Sequence, residues 1–233
     1  MKYAIGDIHG QFSLLQRLYE MILLDIEKCG DEENEIIFLG DYIDRGPEKQ
    51  KVLDFLKNLQ NSKKIQHIYL WGNHEEIFKD AMEHPTSSIY TGMWTENGGQ
   101  AFMNEFGCKD FHSFNLIFPW YYYVNWFDSH LDYFHETEDY VFVHGGLDVR
   151  EKNMDKQNKK WLKWARHTNK DHYADYHKLV IHGHTPNPMP IVDKNRINVD
   201  TNGWWDEFGG YGLTAVKLHN RLADGPPEFI QAL

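Results

Sequence analysis

Along the first third of the chain, short apolar runs that stop at a glycine alternate with stretches of helical period. Residues 2–5 (KYAI) are a β-prone run ending at Gly6. Residues 11–28 predict a helix, with Leu15, Leu18, Tyr19, Ile22 and Ile26 on one face. Residues 36–39 (IIFL) form a continuous apolar strand run stopped by Gly40. Pro47 suits the first turn of the next helix, whose apolar stripe is Val52, Phe55, Leu56 and Leu59. A third strand, 67–71 (HIYLW), stops at Gly72 and leads to a helix from Glu75 to about Met82. This rhythm predicts an α/β core of parallel strands joined by crossover helices.

Residues 84–135 break the rhythm and read as helical or irregular. Their aromatic run at 118–127 (FPWYYYVNWF) is expected in the core, because aromatics mainly supply buried area. Strands return at 139–143 (DYVFV) and 178–182 (KLVIH), followed by RINV at 196–199, LTAVKL at 213–218 and a last run near FIQAL. The late strands look antiparallel and hairpin-like. The polar stretch 151–160 (EKNMDKQNKK) reads as a solvated surface, not a linker, and no repeat is present. Residues 1–233 therefore read as one domain.

Charge and cysteine content narrow the possible functions. Lys and Arg number 24 against 35 Asp and Glu, a net charge of −11. An acidic surface argues against nucleic acid as the main partner, but bound cations would let it take a phosphorylated substrate. Cys29 and Cys108 lack C-x-x-C spacing, so neither a disulfide framework nor a structural zinc site is expected. Asp7 and His9 stand where a signal peptide needs an apolar core, and no apolar run approaches the ~20 residues of a membrane span. A cytoplasmic protein is expected.

Five strand runs are followed by side chains able to bind metal. They are Gly6-Asp7-Ile8-His9-Gly10, Gly40-Asp41-Tyr42-Ile43-Asp44-Arg45-Gly46, Gly72-Asn73-His74-Glu75, His144-Gly145-Gly146 and Gly183-His184-Thr185-Pro186. Each alone has an ordinary explanation: Gly-Asp as a turn, Asn73 as a helix cap, His184 as a hydrogen-bonded histidine. Together they predict a ligand set. Ligands of parallel α/β sheets gather beyond the carboxyl ends of the strands, so strands sharing one sheet region would bring these groups to one rim. Carboxylate, imidazole and amide oxygen suit Mn²⁺, Fe or Zn²⁺, and not calcium or a thiolate site.

In this order, GDIHG, GDYIDRG, GNHE, HGG and GHTP resemble the phosphoprotein phosphatase family of calcineurin-like metallophosphoesterases, in particular compact bacterial and phage Ser/Thr phosphatases. The resemblance runs from Gly6 to about Leu218, with further echoes at Trp94-x-x-Asn97-Gly98-Gly99, Trp164-Ala165-Arg166 and Val199-Asp200-Thr201. It implies an α/β four-layer sandwich, two mixed β-sheets flanked by helices, with the site at one rim. It implies two divalent metal ions, Mn²⁺ first and Fe or Zn²⁺ as alternatives. Asp7 and His9 would hold the first metal, Asp41 would bridge both, and Asn73, His144 and His184 would hold the second. Arg45 and Arg166 would clamp phosphate, and His74, oriented by Asp44, would give a proton to the leaving oxygen. The implied reaction is direct in-line attack of a metal-bridging hydroxide on phosphorus, with no phosphoenzyme.

Several points stay open in the sequence. Arg150 and Arg196 compete with Arg166 as the second clamp. His182 lies two residues before His184 and is expected to be a buried supporting residue. Trp204, Trp205 and Phe208 would either face substrate or cover the end of a sheet. The Asp44-Arg45 pair favours a phosphorylated protein or peptide as substrate, with small phosphoesters also accepted. The alternative is a dinucleoside polyphosphate, because the related diadenosine tetraphosphatases typically read Ala-Arg at this point.

Overall fold

In the computed structural model, which describes residues 1–167, 169, 171–201 and 212–233, strands and helices alternate at first as the periodicity predicts. Strand β1 (Lys2–Ile5) leads to helix α1 (Phe12–Cys29), β2 (Asn34–Phe38) to α2 (Lys49–Asn58), and β3 (Ile65–Leu70) to α3 (Asn73–Glu83). Gly30 ends α1 in the left-handed conformation (φ 73°), its N–H bonded to Ile26 O. Helix α2 starts two residues after Pro47, where the Glu105 carboxylate accepts the Lys49 N–H at 3.0 Å. Pro47 therefore stands just before the cap residue Glu48 and not in the first turn.

Residues 84–135 hold helices α4 (Ser88–Trp94), α5 (Gln100–Glu105), α6 (Phe111–Ile117) and α7 (Trp120–His130), with a π turn at Thr95–Gly99 between α4 and α5. They enclose an aromatic cluster. Phe102 lies 5.0 Å from Phe118 and 5.9 Å from Phe78, and Trp94 lies 5.3 Å from Phe114 between ring centroids. The aromatic run is only partly core. Phe118, Tyr123, Trp126 and Phe127 are buried, but Tyr121 and Tyr122 are 61% and 54% exposed. A surface helix has one inward face, so consecutive aromatics cannot all reach it.

The rest of the chain adds β4 (Leu131–Asp132), β5 (His135–Glu136), β6 (Tyr140–Phe142), helix α8 (Lys159–Trp164), β7 (Leu179–His182), β8 (Ile191–Asp193), β9 (Arg196–Asn198), β10 (Leu213–Leu218) and β11 (Glu228–Ala232). β4, β5 and β8, of two or three residues each, have no counterpart among the strands expected from the sequence. Among the described residues, two mixed sheets form, ordered β11-β10-β1-β2-β3-β4 and β5-β6-β7-β9-β8. The late strands do make antiparallel pairs, β8 with β9 and β10 with β11. β9 also runs parallel to β7, and β10 returns to pair antiparallel with β1.

Alternation along the strands builds the layers. Ala4, Ile37, Leu39 and Leu70 of the first sheet meet Phe142, Ile181, Ile197 and Val199 of the second. Tyr3, Ile5, Ile36 and Phe38 face the other way, onto α1, α2 and the aromatic cluster. On the far side of the second sheet, Val141, Val143 and Val180 pack against Leu162 of α8, Tyr173 and Tyr176. The result is the expected four-layer sandwich. Trp204, Trp205 and Phe208 lie outside the described residues. No helix among the described residues is long and apolar enough to cross a membrane.

Two stability predictions follow from this packing. Phe102 is fully buried, so Phe102→Ala should cost about 3–5 kcal/mol, read as a lower denaturant midpoint. The second concerns Glu35, which joins the sheets through Lys2 Nζ at 2.8 Å and His135 Nε2 at 3.1 Å. Burial alone would raise its carboxyl, but His135 and Lys2 outweigh this and hold it at about 2. Because that lies below its ordinary 4.5, the pairing contributes fully above pH 4.5 and is lost as pH falls through 2. Glu35→Gln should therefore be less stable than the parent by roughly 1–2 kcal/mol at neutral pH, and the gap should close near pH 2. Urea unfolding across that range measures it.

Candidate metal centre

The motif-bearing strands do not share one sheet. β1, β2 and β3 lie parallel in the first, with Ile5 opposite Phe38 and Phe38 opposite Tyr69, so Asp7, Asp41 and Asn73 follow at one edge. β6 and β7 lie parallel in the second, with Phe142 opposite Ile181, which places His144 and His184. The two edges meet. His144 Nδ1 donates to Leu39 O at 2.9 Å, and the His184 N–H donates to Asp7 Oδ1 at 3.0 Å.

The loops after these strands are bent sharply. His9, Asp41, Asp44, Arg45 and His184 all have positive φ, between 43° and 67°. Non-glycine residues rarely adopt this conformation, and each costs about 1–3 kcal/mol unless the surroundings enforce it. Here the loops hold one another. The N–H groups of Ile8 and His9 both donate to Asp41 O, at 3.1 and 2.8 Å, and Gly10 N–H donates to Tyr42 O at 2.9 Å. Gly46 closes against His9 O, where an added Cβ would lie at 2.1 Å. Only glycine fits there.

Glu75 ties the second and third loops together. Its buried carboxylate accepts the N–H groups of Asp41 (2.9 Å), Tyr42 (2.8 Å), Ile43 (3.3 Å) and Gly72 (3.2 Å). Burial and the Asp41 charge push its carboxyl up to about 8, against the N–H groups of Tyr42 and Asp41, which favour the ionised form. From the sequence Glu75 has no role beyond its place in GNHE, and Trp94 and Asp200 stand only as echoes of the family. Trp94 Nε1 donates to Asp44 Oδ1 at 2.9 Å, and the Asp200 charge acts on Asp7.

The side chains form two buried triads, His9–Asp41–His74 and Asp41–His144–His184, with ligand atoms in each within 4.8 Å of one another. Asp41 belongs to both. His9 Nε2 is 3.5 Å from Asp41 Oδ2 and 4.0 Å from Asp7 Oδ2, and His144 Nε2 is 3.3 Å from Asp41 Oδ1. Asn73 Oδ1 lies 3.1 Å from His144 Nε2. His9 Nδ1 donates to Ile43 O at 2.9 Å, so both His9 and His144 spend Nδ1 on a carbonyl and turn Nε2 to the cluster. His74 Nδ1 donates to Asp44 Oδ2 at 2.7 Å. Arg45 Nη1 reaches His9 Nε2 at 2.9 Å, and Arg166 Nε reaches His184 Nε2 at 3.1 Å.

Arg166 thus lies at the cluster. Arg150 instead pairs with Asp148 at 2.7 Å, and Arg196 bonds Asp193 and His167 O. His182 is buried and belongs to neither triad; its Nδ1 donates to Gly183 O at 2.9 Å.

Electrostatics suit a cation. Burial pushes Asp7 well above the carboxylate range, and the charges of Asp200 and Asp41 add to this. Burial would raise Asp41 too, but His144 and His74 outweigh it and hold Asp41 well below. Burial, Arg45 and His74 push His9 well down, and burial and His144 push His184 to about 2. Burial thus favours neutral imidazoles at His9 and His184, as metal binding needs, while the crowding that helps raise Asp7 is a repulsion that a bound cation would relieve. Carboxylate, imidazole and amide donors fit divalent Mn, Fe or Zn.

Comparison with known proteins identifies the family. Residues 3–213 match the family described as calcineurin-like phosphoesterase. Over 72 residues the chain is 39% identical to a protein of Caenorhabditis elegans assigned as a serine/threonine-protein phosphatase, covering 31% of this chain and 18% of that one. Over 73 residues it is 37% identical to the symmetrical bis(5'-nucleosyl)-tetraphosphatase of Coxiella burnetii, covering 31% and 22%. The matches therefore span about a fifth of these relatives' own length. A protein serine/threonine phosphatase structure from Saccharomyces cerevisiae shares the fold, with a TM-score of 0.61 at 17% identity over 100% of this chain and 80% of that one. With the family matched across nearly its whole length, the chain belongs to the calcineurin-like phosphoesterases.

Proposed function

We propose that the chain is a metal-dependent phosphomonoester hydrolase acting on phosphoserine and phosphothreonine in proteins. The observation that carries this reading is the buried His74–Asp44 pair at 2.7 Å, beside Arg45 and Asp41. Asp7 and His9 would hold one cation, Asn73, His144 and His184 the other, and Asp41 both. Such a pair, once bound, would activate water and neutralise charge on the phosphoryl oxygens.

The chain's own groups do the rest. Asp44 Oδ2 accepts a hydrogen bond from His74 Nδ1–H, which leaves Nε2 as the atom to carry and release a proton. An imidazole held in this orientation can deliver a proton from Nε2 to an alkoxide leaving group. An unactivated serine or threonine oxygen needs such a donor. The guanidinium groups of Arg45 and Arg166 present planar forks matched to phosphate oxygens, one at each triad. His74 Nε2 also lies 3.8 Å from Asp41 Oδ2, so ligation by His74 is the competing role.

The Coxiella burnetii relative supports a second reading, hydrolysis of a dinucleoside tetraphosphate. Turnover of a phosphoserine peptide, p-nitrophenyl phosphate and diadenosine tetraphosphate by the Mn²⁺-loaded protein separates the two. The peptide should be preferred, and a clear preference for the dinucleotide would overturn the first reading. Within the site, His74→Asn should lower kcat by about 10²–10⁴-fold with both metals retained by elemental analysis. Loss of one metal would instead make His74 a ligand. Asp41→Asn should remove most activity and weaken binding of both ions.

A further inference from the structure

The helical segment between α4 and α5 touches both members of the Asp44-Arg45 pair, although it carries no metal-binding motif. Trp94 is the last residue of α4, and its ring is fully buried among Phe78, Phe102, Phe111 and Phe114. Its one polar atom leaves this apolar cluster and donates to Asp44 Oδ1 at 2.9 Å. The other oxygen of Asp44 accepts from His74 Nδ1 at 2.7 Å. Both Asp44 oxygens are thus committed, and the carboxylate cannot rotate without breaking a buried hydrogen bond.

The π turn that follows is equally close. Gly98, with φ 116°, packs so tightly that an added Cβ would lie 2.9 Å from Arg45 Cγ, 3.1 Å from Arg45 N and 3.2 Å from Asp44 Cβ. Gly98 breaks the helical path here, and its lack of a side chain lets the kink sit directly against the Asp44-Arg45 loop. Asp44 and Arg45 both hold left-handed backbone, at φ 67° and 60°, and this segment presses on them from the helical side.

We infer that Trp94 is a positioning residue: its indole N–H locks the Asp44 carboxylate in the rotamer that aligns the His74 ring for proton delivery to the leaving oxygen. The inference rests on the proton-donor reading of His74. Trp94 is fully buried and its Nε1 is spent on Asp44, so its effect must pass through that carboxylate. It must also grow with the leaving group's need for a proton.

The test compares the Mn²⁺-loaded parent with Trp94→Phe, Asp44→Asn and the double variant, using phenyl phosphate and 2,4-dinitrophenyl phosphate. A buried hydrogen bond to a charged group predicts about a tenfold loss of kcat for phenyl phosphate and about twofold or less for the dinitrophenyl ester, with KM little changed. In the Asp44→Asn background the same substitution should add less than about twofold, because the partner is already altered. Replacing Trp94 with 3-benzothienylalanine, which keeps the ring shape and lacks only the N–H, should reproduce the pattern even if Trp94→Phe folds poorly. Equal losses for both esters, or losses that multiply with Asp44→Asn, would make Trp94 a core residue only and overturn the inference. If Asp44→Asn itself behaves like the parent on phenyl phosphate, the His74 reading fails and this inference with it. If Asp44→Asn shows the loss and both Trp94 replacements do not, only the role of Trp94 is overturned.

Discussion

Four backbone N–H groups converge on the Glu75 carboxylate, and the rest of the site hangs from that joint. Glu75 sits in the first turn of α3 and reaches back to the Gly72 N–H, as a glutamate at that helical position commonly does. It then does more, holding Asp41, Tyr42 and Ile43 of the neighbouring loop. Asp41 is the one side chain common to both triads, and its own Oδ1 accepts the His74 N–H at 3.0 Å. A helix start, a strained loop and the shared carboxylate are thus one hydrogen-bonded unit. An apolar side chain at 75 would leave those donors buried and unpaired.

The strain has a counterpart in charge. Five left-handed residues and several buried carboxylates within one cluster are individually unfavourable. Neighbours offset part of this: carbonyls for the Nδ1 atoms of His9 and His144, loop-to-loop backbone bonds for the turns, and Arg45 and Arg166 at the Nε2 atoms of His9 and His184. The loop backbone is already held in place, but the guanidinium groups of Arg45 and Arg166 would have to swing off the Nε2 atoms of His9 and His184 to admit cations. A fixed frame of this kind is what electrostatic stabilisation of a developing charge requires.

Much of this was legible in the chain itself, for a physical reason. A ligand at a strand end needs an apolar run, a bend and a donor atom in consecutive positions, and that sequence of types is visible at Asp7, Asp41, Asn73, His144 and His184. The partition between two sheets was not, because it depends on β10 returning to β1 and on β9 joining β7, pairings without local period. Only the family resemblance implied two sheets. Glu75 and Trp94 stayed silent for another reason. A buried glutamate on a helix and a tryptophan in an aromatic cluster read as surface and core until their partners are known.

The division of the site between sheets gives it a mechanical side. Asp7, Asp41 and Asn73 ride on one sheet, and His144 and His184 on the other, with an apolar layer between them. An ion gripped from both sides would be a cross-brace, and its binding free energy would be drawn on whenever the sheets part. Loading the site and keeping the sandwich closed would then be a single equilibrium. Chelation would act on the architecture as much as on the chemistry.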